Sequence, residues 1–455
     1  MLRSEPNSFD LLIRGGTLVT DEGERAADVG INRERVETIS PALSNLGKQT
    51  LDATGLHIFP GLIDSHVHFN EPGRADWEGI ATGSRALAAG GGTLFFDMPL
   101  NAHPPVLDAS SFEQKLAAAK AASLVDFGFW GGLVPGNLEQ LEQLNECGVI
   151  GFKAFMSNSG IDDFPRADDR TLRDGMKRIA RFGGLVGVHA ESERITSELA
   201  QAALANGRSS IRDYLDSRPI HAELDAITRA IDMAGETGCR LHIVHVSCGA
   251  GVALVASAQK LGVDVTCETC PHYLALTEED MMRIGPLAKC APPLRARSAQ
   301  DSLWQYFLTD QITTIGSDHS PSPPGMKTDS NFFKVWGGIS GAQHTLPLLL
   351  TEGHRNRRAD LAQIARLTSF NVAKRFRLPA NKGRIEPGCD ADLALVALDG
   401  AEPVQPEKLF YKHRQSPYAG RTLTGRVVQT ILRGQTVFKN GKIVAEPMGR
   451  FVRPS

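Results

Sequence analysis

The sequence predicts an α/β protein, a closed (β/α)8 barrel beside a small β-sandwich built from both chain ends. Three observations carry this expectation. Eight short apolar runs cross the middle of the chain, at residues 62–68, 93–98, 125–130, 150–155, 185–189, 241–246, 263–268 and 312–317. Helical patterns lie between many of them, with apolar residues three and four apart, as at 113–122, 171–182, 194–206 and 223–235. The two ends look different, with β-like segments broken by Gly, Asp and Asn at 10–58 and 384–447.

Each element follows from its own pattern. Most of the eight runs are apolar throughout rather than alternating, as strands are when a parallel sheet buries both faces. Strands alternating with helices give a parallel sheet, and eight such units close into a TIM-like barrel. The triplet Gly90-Gly91-Gly92 reads as the stop of a helix before the second strand, because no phosphate-loop residues follow it. Lys439-Asn440-Gly441-Lys442 reads as a tight hairpin, since Asn-Gly suits a type I′ turn. Neither end is long enough to bury its own core, so the two combine. The expected division is residues 1–58 with 378–455 for the composite β-domain, and 59–377 for the barrel.

Composition narrows the function. The chain has 455 residues, with 49 Lys plus Arg against 52 Asp plus Glu, a formal charge of −3. This argues against a nucleic-acid binder or an anionic-membrane binder working through bulk charge. Seven cysteines, an odd number thinly spread, suggest a reducing compartment and no disulfide framework. No signal-peptide apolar region opens the chain, and no apolar stretch is long enough to span a membrane. A cytoplasmic protein is the expectation.

The strongest local signal is Pro60-Gly61-Leu62-Ile63-Asp64-Ser65-His66-Val67-His68. Histidines two apart on a strand share a face. At the C-terminal end of a barrel strand that face looks into the active-site mouth, and two imidazoles so placed can bind one metal. Four further titratable residues close other runs: Lys153 in GVIGFK, His189 in LVGVH, His245 in LHIVH and Asp318 in TIGSD. A lone histidine is more often structural. Five strands delivering four His, one Asp and one Lys to one mouth exceed the needs of one tetrahedral zinc and suit two metals. Lys153 is the awkward member, because an ammonium has no lone pair. It lies outside the ligand set or is chemically changed, and spacing alone leaves both open.

The motifs PGLIDSHVH, GFKAFM, HAES, HVSCG, ETCPHYL, GSDHSP and GRIEPGCDADLALV, which together span nearly the whole chain, resemble those of the amidohydrolase superfamily. The resemblance is to its cyclic-amidohydrolase branch, which holds dihydropyrimidinases, hydantoinases, dihydroorotases and allantoinases. It implies a binuclear centre of two divalent metals, zinc first, with Co, Mn, Fe or Ni as alternatives. It also implies that CO2 carboxylates Lys153, and that the carbamate bridges the metals. His66 and His68 would bind one metal with Asp318, His189 and His245 the other, and Asp318 would act as general base and then acid. Relatives are commonly tetramers, which implies a homo-oligomer here.

The branches differ in the substrate pocket. Dihydroorotases usually carry an arginine two residues after the second metal histidine; here that residue is Asn70, with Arg74 close by. Losing a bidentate carboxylate partner argues against an acidic substrate. Dihydropyrimidinases and hydantoinases usually have a tyrosine soon after the lysine, and here Asn158 stands there. Their PNG-like segment becomes KVWGGISG, with Gly337 at its centre. NEPGRADWEG, DMPLNAHPP, KCAPPLR and SDHSPSPPGMK are similar to the allantoinase branch. That implies opening of the hydantoin ring of allantoin, a small neutral cyclic ureide, to give allantoate. Asn70, Arg74, Asn101, Asn158, Cys290 and Gly337 are the expected substrate contacts. The alternatives are a hydantoinase for other 5-substituted hydantoins, or a non-enzymatic dihydropyrimidinase-like interaction protein. Retention of all six metal positions speaks against the last.

Secondary features have plain readings. The single pair Cys267 and Cys270 is weak evidence for structural zinc and suits buried small apolar residues. His242 is expected to be structural. His319 stands next to Asp318 and divides evenly between a supporting role in the site and none. His272 is expected near the pocket with no assigned role, and Glu71 and Arg74 at its rim or in a salt bridge.

Overall fold

The computed structural model describes residues 8–44 and 46–455. Its centre is the expected barrel. Strands Leu62–Val67, Gly92–Asp97 and Asp126–Phe129 pair in parallel. The parallel order then runs Gly131–Gly132, Phe152–Phe155, Leu185–His189, Arg240–Ile243, Val265–Thr269 and Thr314–Ile315. The third strand is bent at Trp130, whose N–H donates to the Asp97 carbonyl at 3.1 Å. The ring closes between the first and last strands by a parallel bridge of Val67 with His319 and by His68 N–H donating to the His319 carbonyl at 2.8 Å.

Among the strands shorter than their apolar stretches suggest are Arg240–Ile243 and Thr314–Ile315. Past each end the backbone turns to positive φ, 42° at His245 and 46° at Asp318. Non-glycine residues rarely adopt this region, and doing so costs of order 1 kcal/mol or more. The turn takes these two side chains out of the alternating strand geometry.

Helices fill the outside. Asp169–Arg181, Glu193–Ala205 and Ile220–Thr237 match their apolar periodicities. Ala109–Ala122 begins one turn earlier than its periodicity suggests, because Asp108 caps it, accepting from Ser111 N–H at 2.8 Å. Gly90 ends the helix Ile80–Ala89, and Gly91 follows at φ 89°.

Both chain ends share one sheet of nine strands. Its join is His57–Pro60, parallel to Ser8–Val19 on one side and antiparallel to Leu393–Pro403 on the other. The core beneath mixes Leu11, Ile13, Val29 and Ile58 with Leu393, Leu395 and Ile431. The expected hairpin is present, with Lys439 opposite Lys442 and Asn440 and Gly441 at φ 48° and 79°. Residues 449–452, which the sequence division gives to the small domain, run instead along the barrel: Phe127 N–H donates to the Arg450 carbonyl at 3.0 Å, and Phe451 stacks on Phe129. Phe127, Phe129 and Phe112 offer an aromatic surface there that a hydrophobic chain end can cover.

Candidate metal centre and active site

The six titratable residues expected at the barrel mouth all line one cavity of about 550 Å³. His66, His68 and Asp318 each offer one ligand atom, and these atoms lie within 4.8 Å of one another. Asp318 Oδ1 is 3.2 Å from His66 Nε2 and 3.4 Å from His68 Nε2. His189 Nδ1 faces His245 Nε2 at 3.0 Å, and the His245 ring lies 5.5 Å from that of His66. The two histidine groups are therefore neighbours in one pocket.

Behind the rings stand two carboxylates. Glu268 Oε1 accepts from His66 Nδ1 at 2.8 Å, and its other oxygen accepts from Ser65 Oγ at 2.5 Å. Glu191 Oε2 accepts from His189 Nε2 at 2.8 Å and is itself paired with Arg218. Each carboxylate fixes a proton on the rear nitrogen and leaves the front nitrogen, His66 Nε2 or His189 Nδ1, as a lone pair facing the cavity. Burial pushes the pKa values of His68 and His189 down and that of His245 well down, which keeps these rings neutral at pH 7. Burial alone would raise the Asp318 pKa, but His66 and His68 beside it hold the carboxyl below the usual range.

Lys153 is fully buried on strand Phe152–Phe155, and its Nζ has no hydrogen-bond partner. The Phe155 ring lies 4.9 Å away. Burial brings the ammonium down to about 8, against the pull of Asp318 and Glu268. An unpartnered buried amine among neutral imidazoles is a chemical oddity as it stands, and it fits a donor set completed by cations and an anionic form of this side chain. The residues present thus fit two divalent cations.

The expected substrate contacts divide. Asn101, Asn158, Cys290 and Gly337 line the cavity. Asn101 Nδ2 reaches His68 Nδ1 at 3.4 Å, and Asn158 Oδ1 accepts from Gly160 N–H at 2.9 Å. Asn70 and Arg74 do not line it. Asn70 is buried at φ 65° with Nδ2 toward the Pro321 carbonyl. The Arg74 guanidinium is taken up by the carbonyls of Asn101 and Ala102 and by Asp163 at 3.2 Å. It faces outward, because the turn at Asn70–Trp77 carries it round to the loop bearing Asp163. Glu71 also faces away, accepting from Ile80 N–H at the start of a helix.

The His319 ring turns away from the cluster: its Nδ1 accepts from Gly341 N–H at 3.1 Å and its Nε2 points to Glu78. His242 bonds Thr266 Oγ1 at 2.7 Å on the far side of Glu268. His272 is buried with neither ring nitrogen partnered. All seven cysteines are free. Glu191 and Glu268 were within motifs legible in the sequence, HAES and ETCPHYL, but nothing local distinguishes them from structural acids. The one usable signal is inward position on a barrel strand or just past its end.

The amidohydrolase family profile matches residues 57–437. A protein of Rubrobacter xylanophilus named allantoinase is 56% identical over 98% of each chain, and one of Deinococcus radiodurans with the same name is 53% identical over 98% of this chain and 99% of its own. Among solved structures, the L-hydantoinase (dihydropyrimidinase) of Arthrobacter aurescens superposes with a TM-score of 0.95 at 34% identity, covering 98% of this chain and 100% of that one. A dihydropyrimidinase from Brevibacillus agri gives 0.90 at 32% identity, over 97% and 98%. The chain belongs to the amidohydrolase family.

Proposed function

We infer that this chain is a cyclic-amide hydrolase that opens the hydantoin ring of allantoin to give allantoate. The observation that carries the reading is a six-residue donor set assembled intact at a barrel mouth, in a chain whose 53–56% identical relatives are named allantoinase. Hydantoinases resemble it in fold at lower identity, which makes other 5-substituted hydantoins the weaker reading.

His66, His68 and Asp318 would hold one divalent cation and His189 and His245 the other, zinc by preference. Lys153, as neutral amine, would add CO2 and release one proton, and the carbamate oxygens would join both sites. When bound, the cations supply a polarised amide carbonyl and a water acidic enough to attack at neutral pH. Asp318 accepts a proton at a carboxylate oxygen and delivers it to the departing ring nitrogen as the C–N bond breaks. Asn158, which lines the cavity with its Oδ1 engaged by Gly160 N–H, would offer its Nδ2 to the substrate.

Charge in the cavity favours a neutral substrate. Arg218 is paired with Glu191, Lys289 is enclosed by backbone carbonyls, Arg74 faces away, and Lys334, which also lines the cavity, is exposed to screening solvent. A panel of allantoin, hydantoin, dihydrouracil and dihydroorotate on metal-reconstituted protein tests the reading. Allantoin should be the best substrate, and efficient dihydroorotate hydrolysis with inert allantoin would overturn it. A cytoplasmic setting, which the free cysteines support, and a tetramer belong to the same proposal; light scattering on the purified protein checks the tetramer.

A further inference from the structure

Two lysines from separate motifs, Lys289 of KCAPPLR and Lys327 of SPPGMK, converge on one stretch of backbone. Residues 332–338 form neither helix nor strand, and Phe333, Val335, Trp336 and Gly337 from it wall the cavity. Irregular backbone in a half-buried wall has carbonyls that no ladder satisfies. Lys289 Nζ donates to the carbonyls of Phe332 and Val335, both at 2.6 Å, and of Phe333 at 3.3 Å. Lys327 Nζ donates to the carbonyls of Gly338 at 2.8 Å, Trp336 at 2.9 Å and Pro286 at 3.3 Å.

Each ammonium thus has three acceptors for its three N–H groups. Both side chains are buried, and among the described residues neither pairs with a carboxylate. A buried cation without a counter-ion is costly, and burial brings both amines down to about 7. The carbonyl dipoles offset that cost at both lysines, and at Lys289 the Tyr214 and Phe332 rings, 4.4 and 5.1 Å away, add to them. Five of the seven residues from 332 to 338 give their carbonyls to these two groups. The arrangement resembles a cation cage whose cations are tethered to the neighbouring loops.

We propose that Lys289 and Lys327 are positioning residues that fix the 332–338 wall against which the substrate seats. The proposal rests on the reading that this cavity takes the cyclic ureide. Neither lysine touches the metal ligands, so their loss should weaken binding more than chemistry.

Lys289→Met and Lys327→Met keep the aliphatic stem and remove the ammonium. In each, KM for allantoin should rise about tenfold while kcat stays within about threefold, the split expected when binding is lost equally from ground and transition states. Metal content should stay at the wild-type level. Hydrogen exchange supplies a second readout. The amides of Lys334, Trp336 and Gly338 donate to Asn331, Met326 and Lys289 carbonyls in the wild type, and a peptide covering them should exchange faster in both variants, with barrel strand 92–97 unchanged. If the lysine variants do not fold, Gly338→Ala tests the wall directly, since a Cβ there would lie 2.1 Å from the Ser320 carbonyl oxygen. It should raise KM in the same way. Unchanged KM and unchanged exchange in folded variants would overturn the clamp. A wild-type enzyme inert toward allantoin would instead overturn the substrate reading, while the exchange measurement still decides the clamp.

Discussion

Glu268 holds the Nδ1 edge of His66 at 2.8 Å, and the opposite edge of the same ring faces Asp318 at 3.2 Å. One buried carboxylate on the seventh barrel strand therefore sets the tautomer of a ligand on the first. Glu268→Gln keeps the shape and weakens the acceptor. Metal affinity should drop about 10- to 100-fold, as for other outer partners of ligating histidines. Competition with a graded series of chelators measures it, and an unchanged affinity would show that the ring needs no such support.

Removing a ligand should do more. His66→Ala or His245→Ala is expected to lower bound metal below two ions per chain and nearly abolish turnover. Elemental analysis beside an allantoin assay checks both. Full activity in a chelated, metal-free wild type would end the hydrolase mechanism given above.

Lys153 offers a chemical test. Burial leaves its amine partly neutral near pH 8, the form that reacts with CO2. Lys153→Ala should lose most activity, and a short carboxylic acid in solution should restore part of it by filling the gap. Lys153→Arg should resist rescue, because guanidinium stays cationic. Apo-protein should also take up metal faster with added bicarbonate. A plain ammonium seen beside two bound metals in an active crystal would refute the carbamate.

The junction between barrel and small domain should be sensitive to one residue. Lys382 Nζ lies 2.7 Å from Asp126 of the barrel and 2.9 and 2.7 Å from Asp390 and Asp392. Lys382→Met would remove the shared cation from three buried carboxylates, leaving Arg433 on Asp126, Arg35 at 3.9 Å from Asp390 and only backbone N–H groups besides. Stability should fall by about 3–5 kcal/mol. Urea unfolding measures the loss, and KM for allantoin should not move in the folded fraction.

Acid should destabilise the protein through two rings outside the ligand set. Burial takes His272 and His344 from the ordinary 6.5 down to about 4. Between those values the unfolded chain binds protons that the folded one refuses. Their contribution is complete above about pH 6.5 and is lost as the pH falls toward 4, at up to about 1.4 kcal/mol per pH unit for each ring. A melting temperature flat across that window would contradict their burial.

Much of this is legible in the amino-acid sequence. Apolar runs without alternation gave the barrel, because burial on both faces leaves no polar side to read. The pair His66 and His68 could be placed from strand geometry alone. Other features depend on partners far along the chain. Glu268 matters because of His66, 202 residues away, and no local pattern shows that pairing. Asn70 and Arg74 sit beside the ligands in sequence yet turn from the cavity, because neighbourhood along a chain does not fix direction once the strand has ended. Likewise His245 and Asp318 reach the site through left-handed backbone, which composition does not announce.

The strand His57–Pro60 meets Leu393–Pro403 across more than three hundred residues. A ribosome adding about 5–20 residues per second delivers the second strand roughly 15–70 s after the first. For that interval His57–Pro60 has one edge open while the barrel emerges, so newly made chains carry an adhesive edge that the finished molecule hides. Slowing synthesis, or truncating the chain before residue 393, should leave that edge free to pair with another copy.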